Sequence, residues 1–224
     1  MKLAVMQPYF LPYIGYFQLI SAVDEFVVYD NIEYTKRGWI NRNRFLQNGR
    51  DEYFTVPLKK DSDHLHVRER RLAANFEEVR HKTLRRLATA YRKAPHFTAG
   101  YDLLERCFAC GERNLYDFIR RSIDQVCAAL EIRTPIVTSS ELNAAASLKA
   151  EHRVLAICKE RGATTYVNPI GGVDLYDRSW FAENGVELRF LRTDEIRYPQ
   201  LSTEFVANLS IIDLIMFQGL EGTK

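Results

Sequence analysis

The sequence predicts an α/β protein: a mainly parallel sheet with flanking helices, an added β-hairpin and a helical insertion. A strand-length apolar run at 2–6, a helical stretch at 14–23 and a second strand at 25–29 form the first signal. One strand, about three helical turns and another strand make a βαβ unit, which implies a parallel pair. The second signal is Asn48-Gly49 between two extended stretches, the strongest short mark of a hairpin. The third is the order of the remaining elements, helices through the middle of the chain and then alternating strands and helices.

Each element has a local reason. Gln7-Pro8 stops the first strand, and Phe17, Leu19 and Ile20 mark the core side of the first helix. Glu25-Phe-Val-Val-Tyr29 is rich in β-branched and aromatic types. The hairpin strands fall at 40–47 and 52–58, ended by Pro57 and the charged run 59–63. Residues 76–91 are helical in spacing, with Val79, Leu84, Leu87 and Tyr91 apolar, and Pro95 ends that helix. Two more helices fit 101–110 and 114–130, the second capped by Asn114. Residues 136–137 read as a short strand, and Ser147 is placed to cap a helix that runs to Arg161 and stops at Gly162. A strand at 164–168, a helix at 176–184 closed by Gly185, a strand at 186–191 and a partly helical 202–216 complete the order. No repeat, low-complexity segment or linker interrupts it. The expectation is a single domain over 1–224 with the insertion at about 74–131.

Composition narrows the class. With 224 residues, 46% hydrophobic and 12% aromatic, the chain carries enough apolar surface to offset the ordering entropy, which excludes disorder. No apolar run reaches the ~18 residues of a spanning helix, and the start lacks a basic region followed by an apolar one. The expectation is a cytoplasmic protein without membrane insertion. Cys107, Cys110, Cys127 and Cys158 are too few for a disulfide framework. The formal charge of +2 hides an uneven distribution: residues 36–93 hold 16 Lys and Arg against 7 Asp and Glu. Such a segment attracts phosphates, anionic sugars or nucleic acid, or is simply a solvated basic surface.

Three clusters can carry chemistry. The first 54 residues hold 12 of the 27 aromatics, densest in Gln7-Pro-Tyr-Phe-Leu-Pro-Tyr-Ile-Gly-Tyr-Phe17. Two prolines and Gly15 there fix a tight loop at the carboxyl end of a strand, where open α/β sheets bind ligands. Gln7, Tyr9, Tyr13 and Tyr16 are more polar than a hydrophobic plug requires, and their rings can stack on a base or sugar. The second cluster leaves the second strand: Asp30 can orient a hydroxyl or ammonium, Tyr34 adds a phenol, and Lys36, Arg37 and Arg42 can hold phosphates. Asn41 and Asn43 alternate with the arginines and so share a side, unless the segment is an edge strand blunted by charge. The third is Tyr166-Val-Asn-Pro-Ile-Gly-Gly-Val-Asp-Leu-Tyr176, where Asn168 ends a strand, Gly171 and Gly172 admit close backbone approach, and Tyr176 closes the turn.

Other patterns are weaker. Cys107 and Cys110 lie in a helical pattern and read as buried thiols. His64 and His66 lack a paired ligand, so no metal site is expected. His81-Lys82 opens a basic helix, where Lys82 can reach a phosphate. No Ser-His-Asp arrangement, nucleophile elbow or phosphate-binding GxxxxGK[ST] loop occurs. Ser210 and Asp213, one turn apart, read as a cap.

QPYFLPYIGYFQLI at 7–20, DEFVVYDNIEYTKRGWINRNRF at 24–45, HKT at 81–83, YVNPIGG at 166–172 with LY at 175–176, and LSIID at 209–213 resemble the WbqC-like protein family. The resemblance runs over nearly the whole chain. It implies a bacterial protein that accompanies surface-polysaccharide and amino-sugar genes, with glycine transfer to an amino sugar suggested for relatives. Phe10-x-Pro12-x-x-Gly15-Tyr16 also looks like a degenerate form of the loop of nucleotidylyltransferases and pantothenate synthetases, with Tyr13 and Tyr16 near the places of their histidines.

The resulting expectation is a transferase that joins an amino acid or acyl group to a nucleotide-linked amino sugar. Asp30, Tyr16 and Lys36 are its expected catalytic residues, and the remaining cluster residues bind substrate. A nucleotidyl- or adenylate-forming enzyme, which would need ATP and Mg²⁺, is the alternative, followed by an RNA- or protein-binding module. The Gly-Gly loop and the Asp- and Asn-rich strand ends suit a small phosphorylated ligand better than nucleic acid.

Overall fold

A computed structural model describes residues 1–109, 111–144, 148, 150–193 and 196–224. Its elements in chain order are β1 (Lys2–Met6), α1 (Ile14–Ser21), β2 (Glu25–Val28), β3 (Arg42–Gln47), β4 (Arg50–Thr55), α2 (Phe76–Tyr91), α3 (Phe97–Phe108), α4 (Leu115–Ala129), β5 (Ile136–Thr138), α5 (Ala150–Glu160), β6 (Thr165–Pro169), α6 (Arg178–Glu183), β7 (Glu187–Leu191) and α7 (Ile211–Gln218). They fall into two compact units. One comprises Met1–Gln7, Gly15–Asn31 and Arg133–Asp194; the other comprises Pro8–Ile14, Ile32–Ile132 and Glu195–Lys224. Among the described residues no helix is long and apolar enough to cross a membrane.

The first unit is a five-stranded sheet in the order β5-β2-β1-β6-β7, every neighbour parallel. From β1 the chain steps outward through β2 to β5, then returns to β6 on the other side of β1. That reversal is a topological switch point, and the crevice beyond the carboxyl ends of β1 and β6 is where such sheets bind ligands. Parallel partners in register share a face, so Val5 with Val27 and Leu3 with Tyr166 face one way, and Ala4 with Phe26 the other. Val154, Ile157 and Cys158 of α5 and Phe181 of α6 pack on the first face. On the opposite face the ring of Tyr16 from α1 meets Phe26 at 5.3 Å. Helices therefore cover both faces, and the central strands β1 and β2 are correspondingly apolar at Leu3–Met6 and Phe26–Val28, whereas the edge strand β7 alternates with exposed Glu187 and Arg189. Glu25 at the start of β2 takes a two-pronged bond from Arg161, at 2.7 Å from Nε and 2.6 Å from Nη2, which ties the chain just beyond α5 to the sheet.

The second unit pairs β3 with β4 antiparallel, Gln47 opposite Arg50. Asn48 and Gly49 both have positive φ (52° and 75°), as a two-residue hairpin turn of the primed type requires. Phe10 sits fully buried against Phe108 and Phe118, with ring centroids 5.1 and 4.8 Å away. Residues 211–217 of α7 are all buried. Its Met216 lies so close to Gly100 of α3 that a β-carbon there would stand 2.7 Å from the methionine sulfur.

Of the boundaries that differ from expectation, among them the second hairpin strand at Arg50–Thr55 in place of 52–58, three have a plain local reason. The helix placed at 101–110 starts at Phe97, because Gly100 is used for close contact with Met216 and does not break the helix. The helix placed at 176–184 starts at Arg178: Asp177 caps it by accepting from the backbone of Ser179 and Trp180, and Ile170–Leu175 form a 3-10 turn. In the 202–216 stretch the helix begins only at Ile211, where Ser210 is the cap, as its pairing with Asp213 suggested. The positions of Cys110 and Ser147 lie outside the described residues.

Candidate functional site

Because β2, β1 and β6 are parallel neighbours, Asp30, Gln7 and Asn168 all lie at the carboxyl edge of the sheet. Asp30 is 1% exposed, and its Oδ1 accepts from the Ser139 hydroxyl at 2.8 Å and from the Ser140 backbone N–H at 2.9 Å. The Ser139 hydroxyl also lies 2.7 Å from Asn31 Oδ1, so the ends of β2 and β5 are clasped through one serine. Gln7 leaves its side chain exposed and its carbonyl accepts from Tyr16 at 3.1 Å. Tyr16 and Gly15 are buried in α1.

At the end of β6 the buried Tyr166 hydroxyl donates to Asn168 Oδ1 at 3.2 Å and lies 3.4 Å from the Tyr176 hydroxyl. Burial pushes the phenol of Tyr166 far above its ordinary range, and that of Tyr176 upward as well. Both are therefore neutral donors. Gly172 packs directly on the Asn168 amide, whereas Gly171 faces open space. Tyr29, after β2, carries the guanidinium of Arg153 from α5 over its ring at 4.8 Å. Desolvation raises the phenol of Tyr29 and the neighbouring Arg153 pulls it back.

In the second unit, the loop at 8–14 is held by its own backbone. Phe10 N–H donates to Ile40 O at 3.0 Å, and Ile211 N–H to Pro12 O at 2.8 Å. The buried Asn43 amide donates to the Phe10 and Leu11 carbonyls, while the Ser210 hydroxyl donates to Leu11 O at 2.8 Å. This fixed loop places Tyr9 and Tyr13 in the wall of a cavity of about 340 Å³, completed by Trp39, Arg44 and Asn208. Tyr9, Trp39 and Tyr53 form a column with centroid separations of 6.1 and 5.9 Å. The guanidinium of Arg42 lies 5.4 Å from the Trp39 ring and that of Arg44 5.6 Å. Burial raises the Tyr9 phenol well above its ordinary value, against the opposing pull of Arg44, so Tyr9 also stays protonated.

The other expected residues of this unit have structural partners. Arg42 donates to Gly38 O at 2.9 Å and Arg37 O at 2.6 Å, folding the 37–42 turn around itself. Asn41 accepts from Tyr34 at 2.8 Å and donates to Val56 O at 2.8 Å, and the guanidinium of Arg70 covers the Tyr34 ring at 4.8 Å. Asn41 and Asn43 thus share an inward side, opposite Arg42 and Arg44. Lys36 is exposed and paired with Asp63 at 2.8 Å, and Lys82 with Glu78 at 2.6 Å, so these amines stand on solvated surface. Arg37 is exposed too.

Sequence reasoning did not single out Arg153, Ser139, Trp39, Arg44 or Asn208. Arg153 stands one residue before Val154 and four before Ile157, but a cation beside an apolar stripe reads as solvated, and only the packing of α5 on the sheet shows it buried. Trp39 stood inside a singled-out cluster, three and five residues before Arg42 and Arg44, but the strand that brings both guanidiniums to its ring is a tertiary fact.

The WbqC-like protein family matches residues 7–224. An uncharacterized protein of Mycobacterium tuberculosis is 33% identical over 223 residues, which covers 98% of this chain and 95% of that protein. No solved structure matches.

Proposed function

Because the chain belongs to the WbqC-like protein family, we propose that it is a transferase attaching an amino acid or acyl group, glycine foremost, to a nucleotide-linked amino sugar of bacterial surface-polysaccharide biosynthesis. The observation that carries this reading is the cavity lined by Tyr9, Tyr13, Trp39, Arg44 and Asn208. Aromatic faces beside a guanidinium and an amide are the chemistry that takes a sugar or base ring by stacking and its hydroxyls or carbonyls by hydrogen bonds. A cavity of about 340 Å³ is of the size that holds a small ligand or part of a larger one.

In this reading Arg44 and Arg42 supply positive charge beside the bound ring, and Lys36, Arg37 and Lys82 draw anionic substrate toward the basic segment. At the sheet edge Asp30 is a positioning group, because its Oδ1 is already set by two donors. Tyr16 acts through the Gln7 carbonyl it holds. In the transfer itself the sugar nitrogen bonds to the acyl carbon, the activating group leaves with its electron pair, and the nitrogen loses a proton.

The test is thermal unfolding of the full chain with nucleotide-linked amino sugars, free nucleotides, ATP with Mg²⁺, and a tRNA pool. A ligand at about 100 times its dissociation constant adds roughly 2.7 kcal/mol of stability. Stabilisation by an amino-sugar nucleotide that disappears in Trp39→Ala supports the reading. Stabilisation by ATP with Mg²⁺ alone replaces it with adenylate chemistry, and a response confined to tRNA and lost at high salt replaces it with nucleic-acid binding.

A further inference from the structure

Among the described residues four arginines have a buried Nε without a hydrogen-bond partner: Arg44, Arg70, Arg80 and Arg153. Three are otherwise compensated. Arg44 pairs with Asp51 at 2.9 Å, Arg80 pairs with Glu77 at 2.9 Å, and Arg70 donates to Ser62 O at 2.7 Å while closing its own loop. Arg153 differs. It is 6% exposed, its Nη1 makes one long bond of 3.4 Å to Asn31 O, and its remaining support is Tyr29, whose ring it covers and whose phenol oxygen accepts a hydrogen bond from it. Among the described residues no carboxylate forms an ion pair with it. Asp30, adjacent to the carbonyl that Arg153 touches, turns its Oδ1 to Ser139 and Ser140.

A guanidinium held out of water by one neutral tyrosine and one weak carbonyl contact, with its Nε unpartnered, is undercompensated, since a buried charge is normally paired and fully hydrogen-bonded. The location gives that deficit a meaning. Tyr29 and Asn31 follow β2 at the carboxyl edge of the parallel sheet, the edge that also carries Gln7, Asn168 and Tyr176. We propose that Arg153 is the receptor of an oxyanion at this edge, a phosphoryl or carboxylate group that takes the free Nε side of the guanidinium fork. The planar fork matches two oxygens of either group, which an ammonium does not. The neutral phenols of Tyr29 and Tyr176 add donors without adding negative charge to repel the ligand. In this assignment the ligand supplies the counter-ion that the arginine lacks among the described residues.

This inference concerns a binding group of the first unit and stands whether or not the cavity at Trp39 takes an amino sugar. The experiment uses the full chain with ¹⁵N-labelled arginine, and with inorganic pyrophosphate and acetate as separate probes. The Nε–H signal absent from Arg153→Lys is the Arg153 signal. It is expected to shift on titration in the wild type, and affinity for the effective probe is expected to fall at least tenfold in Arg153→Gln. Response to pyrophosphate assigns a phosphoryl ligand; response to acetate assigns a carboxylate, as of an amino-acid donor. An Arg153 signal unmoved by both probes overturns the proposal, as does unchanged affinity in a folded Arg153→Gln. If Arg153→Gln does not fold, the wild-type titration decides alone. The melting temperatures give a second readout. A purely structural Arg153 predicts that Arg153→Gln melts lower with no dependence on either probe, whereas the receptor predicts that it loses the probe-induced rise.

Discussion

Gly172 leaves no room for a β-carbon: one built there would stand 2.0 Å from Nδ2 of Asn168. The amide cannot swing aside freely, because Asn168 is buried at the end of β6 and its Oδ1 accepts from Tyr166. Gly172→Ala is therefore expected to displace Asn168 and break that bond, at a cost of about 1–3 kcal/mol in denaturant unfolding. Gly171→Ala meets nothing within 4 Å and is expected to stay within about 0.5 kcal/mol of wild type. Equal effects of the two substitutions would show that the close approach at Gly172 has no structural weight.

The contrast between these glycines marks the limit of what the sequence says. That YVNPIGG is a strand followed by a turn was legible, since β-branched and aromatic types end at Pro169 and a glycine pair. Which glycine matters was not, because the deciding atom belongs to a side chain four residues earlier. The same division runs through the chain. Alternation placed Asn41 and Asn43 on one side of their segment, but both amides turned out to hold backbone, Val56 in one case and Phe10 and Leu11 in the other. Local pattern located the parallel pair, the hairpin and the cap at Asn114. It did not locate Arg153, because an arginine on a helix face reads as solvated until the packing of α5 on the sheet is known.

Asp213 offers a pH test of the second unit. It is 0% exposed, with Oδ1 accepting from Tyr91 at 2.7 Å and Oδ2 from Tyr198 at 2.7 Å and Gln200 at 2.9 Å. Burial raises its carboxyl above the ordinary 3.8, and the three hydrogen bonds to the carboxylate only partly oppose that. A raised native value means the folded chain binds the proton more tightly than the unfolded one. From pH 3.8 upward to the native value, this group's contribution to stability therefore falls as pH rises, and below 3.8 it is fully present. Asp213→Asn removes the titration and places a donor against Gln200, whose own amide is fixed by Val206. The variant is expected to be less stable by about 1–3 kcal/mol. That deficit should shrink as pH rises through the window; urea unfolding that shows it growing would reverse the sign assigned to Asp213.

Asn43 connects the fold of the second unit to its cavity. Leu11 has φ +46°, a left-handed conformation that disfavours a side chain, and its carbonyl is held by Asn43 and Ser210. Asn43 Oδ1 in turn accepts from the Arg44 backbone at 2.7 Å, so one buried amide joins the loop to β3. Asn43→Ala removes a donor from the buried Leu11 carbonyl and frees the loop to relax toward ordinary backbone. Unfolding should show a loss of about 1–3 kcal/mol. Hydrogen exchange should accelerate at the amides of Tyr9, Phe10, Leu11 and Tyr13 before it does in α4, because a loop that loses its clasp opens locally at lower free energy than the helices beneath it. Tyr9 and Tyr13 would then leave the cavity wall together, and any ligand that stacks there should bind more weakly in the variant even at temperatures where it is fully folded. Unchanged exchange at residues 9–13, with the stability loss confined to global unfolding, would mean that backbone contacts to Ile40 and Ile211 hold the loop and the Asn43 amide serves only the core.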